Sequence, residues 1–373
     1  MSTSPSPLLE LARFFGRLSL TGFGGPAAHI ALMHRELVDG RRWLTDAEFL
    51  DLVGASNAIP GPTSTEVAMY VGRRRAGIPG LVVAGLAFIA PAAAVVGVLA
   101  WVYVRYGTTP TLDDVFEGVK PVVLAVVALA VVQLGRTAVK SVTLAIIGGG
   151  VLALYLVGLD EPVLLLAAAA LAAVIARRPR LLSVPLLFPV LLAGGPVTLT
   201  AEPSLVRIAG VFLKVGALLF GSGYVLLAFL HRDLVQSGGF LTEDQLLDAI
   251  AVGQFTPGPL FTTATFVGYV LAGAPGALVA TVAIFLPSFL FVAALEPIVA
   301  RMRRSVTTAA ALDGLNVAAV ALMGGVTWVL ARDAVVDVPT AVVAVAAAAV
   351  LLRWRVNAAW LMAAGALWGL LLR

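Results

Sequence analysis

Two short stretches hold the residues best suited to chemistry in this sequence: Asn57-Ala-Ile-Pro60-Gly61-Pro62 and Gln254-Phe-Thr-Pro257-Gly258-Pro259. Each sets a side-chain amide three residues ahead of a Pro-Gly-Pro, inside an apolar region. Hydroxyls follow directly: Thr63, Ser64 and Thr65 in the first copy, Thr262, Thr263 and Thr265 in the second. Proline has no N–H and clashes with the preceding turn, so each motif stops a helix entering from the left. Proline also suits the first turn of a helix, so Pro62 and Pro259 are expected to open the helices on the right. The first amides of such a helix lack intrahelical partners, and the macrodipole adds partial positive charge there. Each motif is therefore a backbone-built anion site, with hydroxyls as extra donors. The competing structural use of those hydroxyls is back-bonding to helix carbonyls. A broken helix at membrane depth must be buried in protein or line a cavity, which favours a lined site.

Few charges lie within apolar segments. Arg17 and Lys214 stand near the start of two such segments, where they either face a site or snorkel to the interface. Glu66 follows the first Pro-Gly-Pro by one helical turn and has no acidic counterpart after the second. It is a candidate proton carrier or an ion-pair partner for Arg17 or Lys214. Asp51 and Asp248 sit on amphipathic arms and rank behind it. His29, His34 and His231 show no metal-ligand spacing, so no metal is expected. The absence of cysteine excludes disulfides, thiol catalysis and thiolate metal sites.

The elements that must position these groups are membrane helices. The chain is 60% hydrophobic and 12% charged, with mean hydropathy +1.00, against roughly 25% charged for soluble domains. The fold class is thus all-α, a polytopic membrane protein whose partner is the lipid bilayer. A net charge of +4 reads as an arginine excess in cytoplasmic loops, not as a nucleic-acid surface. The first residues lack the basic n-region of a signal peptide. Glycines at 22, 24, 25, 216, 221 and 223 let helices unwind or approach closely; no βαβ unit surrounds them for nucleotide binding.

The chain opens with an apolar segment from Leu8 to about Met33, interrupted at Thr21–Pro26. Thr45-Asp-Ala-Glu48 caps a helix expected to reach Ile59, and a short helix is expected from Thr63 to about Gly72. Apolar segments follow near 78–104, 115–135, 140–158 and 161–176. Then the pattern restarts. Subtracting 60 from 257 gives an offset of 197, which also pairs Phe15 with Phe212, Arg17 with Lys214, His34 with His231 and Asn57 with Gln254. Past the motif the offset is 196, pairing Gly72 with Gly268, Pro79-Gly80 with Pro275-Gly276 and Pro91 with Pro287. This is an internal repeat: 1–180 forms a first repeat, 181–204 a Pro- and Gly-rich linker, and 205–373 a second repeat. Arg73-Arg-Arg75 flanks the first motif, whereas Tyr269-Val-Leu271 stands at the equivalent place in the second. Together with the remaining arginines this predicts about ten spans plus two re-entrant helical hairpins, in an inverted-topology repeat.

The motifs Phe14–Pro26, Asn57–Glu66 and Gly253–Pro259 resemble the chromate ion transporters, of the long-chain two-domain type, over nearly the whole chain. The resemblance implies a carrier in the inner (cytoplasmic) membrane that exports chromate by antiport driven by the proton motive force, giving chromate resistance without a cofactor. Chromate or a related oxyanion and protons would be its partners, and a homodimer is compatible with it. By motif position the resemblance carries importance to Arg17, Gly24, Pro26, Asn57, Pro60, Gly61, Pro62 and Glu66. In the second half it falls on Lys214, Gln254, Pro257, Gly258 and Pro259, with Gly221 as the counterpart of Gly24. Two competing readings remain: a carrier or channel for another oxyanion such as sulfate, and a lipid-phosphate flippase or membrane enzyme. The sequence offers no nucleophile, metal cluster or carboxylate dyad for an enzyme.

Overall fold

The computed structural model of the chain describes residues 6–23, 25–107, 109–176, 204–220, 225–236, 239–294, 305–335, 337–354 and 356–372. Fourteen α-helices and no strand occur among them. The expected linker 181–204 and the basic clusters at 177–180 and 301–304 lie outside them, except for Ser204.

The first five elements follow from local signals. Helix α1 (Pro7–Thr21) starts at proline with Ser6 as its N-cap. Helix α2 (Gly25–His34) enters through Gly25 at φ +74 and runs into a π-helical turn, Arg35–Gly40. Helix α3 (Asp46–Ser56) begins at a capping box: Glu48 N–H donates to Thr45 Oγ1 at 3.3 Å and Thr45 N–H to Glu48 Oε2 at 2.9 Å. Helix α3 stops at Ser56, short of the Ile59 expected, because a residue before proline is pushed out of the helical region. Helix α4 (Thr63–Tyr106) holds 44 residues but breaks at Ala76 (φ −146, ψ 28) and Gly77 (φ 61, ψ −150).

The remaining helices are α5 (Pro110–Ala138), α6 (Val142–Leu156), α7 (Glu161–Ala176), α8 (Leu205–Leu218), α9 (Leu226–Leu230) and α10 (Glu243–Phe255), then α11 (Thr263–Ala294), α12 (Val306–Ala334), α13 (Val338–Trp354) and α14 (Ala358–Leu372). A 3-10 turn, Leu260–Thr262, leads into α11, and a second π-helical turn covers His231–Gln236. Four of these stretches are long and apolar enough to cross a bilayer: Thr63–Tyr106, Asp114–Ala138, Leu260–Ala294 and Val306–Arg332. Four further apolar helices are shorter: Val142–Leu156, Glu161–Ala176, Val338–Trp354 and Ala358–Leu371. Large apolar side chains such as Ile146, Val206, Leu278 and Trp360 are mostly exposed, as lipid contact allows and water does not. The chain is an all-α, multi-pass membrane protein.

Two compact units interleave along the sequence. The first draws on Met1–Tyr106, Ser204–Ala217 and Val252–Val299. In it α4 packs on α1 and α11, around fully buried Phe15, Phe88, Phe212, Phe261 and Phe266. Helix α11 breaks at Ala272 (φ −150, ψ 30) and Gly273 (φ 61, ψ −153), the dihedrals of the α4 break 196 residues earlier. Across each break two glycines close up: a Cβ on Gly72 would strike the Gly80 carbonyl, and one on Gly268 the Gly276 carbonyl. Only glycine permits both the left-handed φ and that approach.

The second unit draws on Gly107–Pro203, Leu218–Ala251 and Ala300–Arg373. Its helix α12 packs on α5, α6 and α7, and α5 also packs on α13 and α14. Its ion pairs among the described residues include Lys140–Asp313 at 2.6 Å, Lys120 with Glu117 and Asp244 at 2.8 Å each, His231–Glu243 at 2.8 Å, and Arg232 with Asp160 and Glu161.

Candidate functional site

The first Pro-Gly-Pro turn, called the first tip here, is closed over by protein. Every residue from Ala58 to Gly72 is buried. Pro62 serves as the N-cap of α4 instead of its first helical residue: its carbonyl accepts from Thr65 N–H at 2.8 Å and Glu66 N–H at 3.1 Å. A ring that fixes φ but leaves the carbonyl free is as useful at the cap as inside the first turn. Gly61 takes φ +138, which lets the chain reverse.

Glu66 points into this tip. It is fully buried, has no ion-pair partner among the described residues, and neither carboxylate oxygen makes a well-formed hydrogen bond. Arg17, one of its expected partners, pairs instead with Glu36 at 3.3 Å and is mostly exposed. The Ser288 hydroxyl of α11, also fully buried, stands beside Glu66, and a Cβ on Gly61 would strike both groups. A buried carboxylate so poorly partnered is expensive, and such groups inside membrane helices mark function. The Thr65 hydroxyl, fully buried, likewise lacks a hydrogen-bond partner among the described residues.

The second tip has the same backbone and different chemistry. Gly258 takes φ +100 and Pro259 again precedes the first turn, here the 3-10 turn before α11. Gly258 N–H donates to the Gly22 carbonyl at 3.1 Å, so this amide is already engaged. Thr262 and Thr263 hydroxyls donate to the Pro259 and Leu260 carbonyls at 2.8 Å each, and Thr265 Oγ1 lies 2.7 Å from Thr281 Oγ1. Back-bonding is thus the local use of the first two. A Cβ on Gly258 would strike Ala92 of α4, and the Ser19 carbonyl lies 3.2 Å from that position.

The two tips are seated reciprocally. Gly61 of the first tip rests on Ser288 of α11, and Gly258 of the second rests on Ala92 of α4. Subtracting 92 from 288 gives 196, the offset of the paired helix breaks. Each tip therefore packs on the same point of the other copy's long helix.

The other expected residues fall around this core. Asn57 is exposed at the C-cap of α3, and Gln254 is half-buried in the last turn of α10. Pro60 is buried, Pro257 and Pro26 half-buried, and Lys214 half-buried on α8. Gly24 and Gly221 lie outside the described residues. Arg73 donates to the Val292 carbonyl and, at 2.6 Å, to the Ala293 carbonyl, placing a cation at the end of α11. No cluster of His, Asp or Glu among the described residues could hold a metal ion.

Sequence reasoning missed three participants. Ser288 follows Pro287, the repeat mate of Pro91, and that pairing was its only signal. Gly22 is expected from sequence to let a helix unwind or a neighbour approach closely, but nothing there shows that its carbonyl faces both Gly258 N–H and His29. His29 lacked metal spacing, yet it is fully buried, with Nε2 2.8 Å from the Gly22 carbonyl and Nδ1 3.4 Å from Ser64 Oγ.

A family profile described as Chromate transporter matches residues 9–174 and again 206–370. The chain is 34% identical to the "Chromate transport protein" of Cupriavidus metallidurans, over 98% of this chain and 93% of the relative. It is 32% identical to the "Probable chromate transport protein" of Synechococcus elongatus, over 89% of this chain and 87% of the relative. A "Chromate transport protein" of Pseudomonas aeruginosa is also 32% identical, over 90% of this chain and 84% of the relative. No solved structure matches the chain.

Proposed function

Because the chain belongs to the chromate transporter family, we propose that it exports chromate across the cytoplasmic (inner) membrane, coupled to the proton motive force, by alternating access. The supporting observation is the reciprocal seating of the two tips, Gly61 on Ser288 and Gly258 on Ala92. Carriers built from inverted repeats bind substrate where broken helices of the two repeats meet, with helix N-termini turned toward anionic groups. In the closed form of this cycle both tips are covered by protein.

In the open forms a tetrahedral dianion is held by the first amides of α4 and the turn before α11, with hydroxyls of Thr63, Ser64, Thr65, Thr262 and Thr263. Asn57 and Gln254 supply amides at the hairpin arms. Lys214 adds positive potential, whereas the Arg17 charge is offset by Glu36. Glu66 carries the proton. Two unit charges 4 Å apart interact by about 4 kcal/mol at an effective dielectric of 20, and a dianion roughly doubles this. An ionised Glu66 and chromate thus exclude each other from one tip, which links proton binding to anion binding.

The test is uptake of chromate into vesicles holding the purified protein, with an imposed pH gradient and with sulfate as competitor. Chromate flux that responds to the gradient, and yields only to large sulfate excess, is expected. No chromate flux, or sulfate carried equally well, overturns the substrate assignment.

A further inference from the structure

We infer that His29 is a positioning residue that ties the two hairpin tips together and sets when the second one opens. A continuous path of hydrogen bonds runs from one tip to the other. Gly22 follows the last residue of α1, and its carbonyl accepts Gly258 N–H at 3.1 Å and lies 2.8 Å from His29 Nε2. A carbonyl only accepts, so Nε2 carries the proton and both carbonyl lone pairs are filled. In the neutral ring Nδ1 is then an acceptor, and Ser64 Oγ, at 3.4 Å, donates to it. Ser64 lies in the first turn of α4 and Gly258 is the tip of the second hairpin, so the imidazole and the Gly22 carbonyl together link the two copies. The ring is held edge-on against Phe88, centroids 5.3 Å apart, and a Cβ on Gly22 would meet His29 Cδ2 at 2.8 Å. Nothing but glycine at 22 lets the ring reach that carbonyl.

The Gly258 amide is one that an oxyanion at the second tip would claim, so anion and Gly22 compete for it. This consequence rests on the transport reading; the tie between the tips does not. His29 acts through Gly22, not by touching the anion.

The experiment uses the full chain, which has no cysteine of its own. Thr256→Cys, a buried position beside the second tip, is labelled with N-ethylmaleimide in vesicles. His29→Leu removes both bonds of the ring and should speed labelling about 10-fold, the factor for one buried hydrogen bond of roughly 1.4 kcal/mol. His29→Gln keeps a donor for the Gly22 carbonyl and should label within about threefold of the parent. Ser64→Ala, the gentler variant, should label several-fold faster and decides the matter if His29→Leu does not reach the membrane. Unchanged labelling in His29→Leu or Ser64→Ala, or His29→Gln as fast as His29→Leu, overturns the tie. Chromate flux is read in the same vesicles. A parent that labels slowly but carries no chromate defeats the transport reading and leaves this one standing.

Discussion

Gly61 rests against Ser288 with no room for a methyl group between them. Its φ of +138 also lies where side-chain-bearing residues are strained, at a cost on the order of 1–3 kcal/mol. Gly61→Ala should therefore push the first tip off α11, lower the apparent melting temperature by several degrees and abolish chromate flux. Gly258→Ala should do the same through Ala92. Wild-type flux in either variant would show that the tips do not need their seats.

Glu66→Gln keeps the shape of the side chain and removes its charge. Anion binding should no longer depend on proton binding, so the pH dependence of chromate flux should flatten while the protein stays folded. Initial rates of chromate flux measured over a series of pH values give the check. A pH profile identical to the parent's removes Glu66 from the proton path.

Arg73 spends its charge on two carbonyls at the end of α11. Hydrogen bonds to a charged group contribute roughly 1.5–3 kcal/mol, so Arg73→Ala should destabilise by about that amount. Arg73→Lys should recover only part of it, since an ammonium lacks the planar fork. Thermal unfolding of the three proteins in detergent separates these outcomes.

Acidification should fray α3 first. The Thr45 backbone N–H donates to Glu48, followed by the Thr45 hydroxyl, and together they hold the Glu48 carboxyl below its ordinary value of 4.5. A carboxyl lowered in the folded state stabilises it above the ordinary value. That contribution is lost as pH falls through the folded one. Amide-exchange protection factors at Glu48 and Phe49 should fall below about pH 4.5, and Glu48→Ala should show the lower protection at neutral pH already.

The duplicated backbone was readable from residue types alone. Gly72 with Gly268 and Pro79-Gly80 with Pro275-Gly276 announced the two breaks, because glycine and proline report directly on φ and on missing donors. The Pro-Gly-Pro tips were readable for the same reason. Which helix each tip meets was not, since contact between Gly61 and Ser288 depends on packing over more than two hundred residues of chain. His29 was hidden because its partners are backbone or distant: a carbonyl seven residues back and a serine thirty-five residues on. Thr262 and Thr263 carried two meanings, donor or back-bonded side chain, that only local geometry separates.

The matched breaks at Ala76–Gly77 and Ala272–Gly273 mean that the two copies share a skeleton that side chains cannot alter without collision. Divergence between them was therefore channelled into what hangs from that skeleton: a carboxylate at 66 facing a threonine-lined counterpart, three arginines at 73–75 against none at 269–271. A twofold frame furnished unequally has a head and a tail.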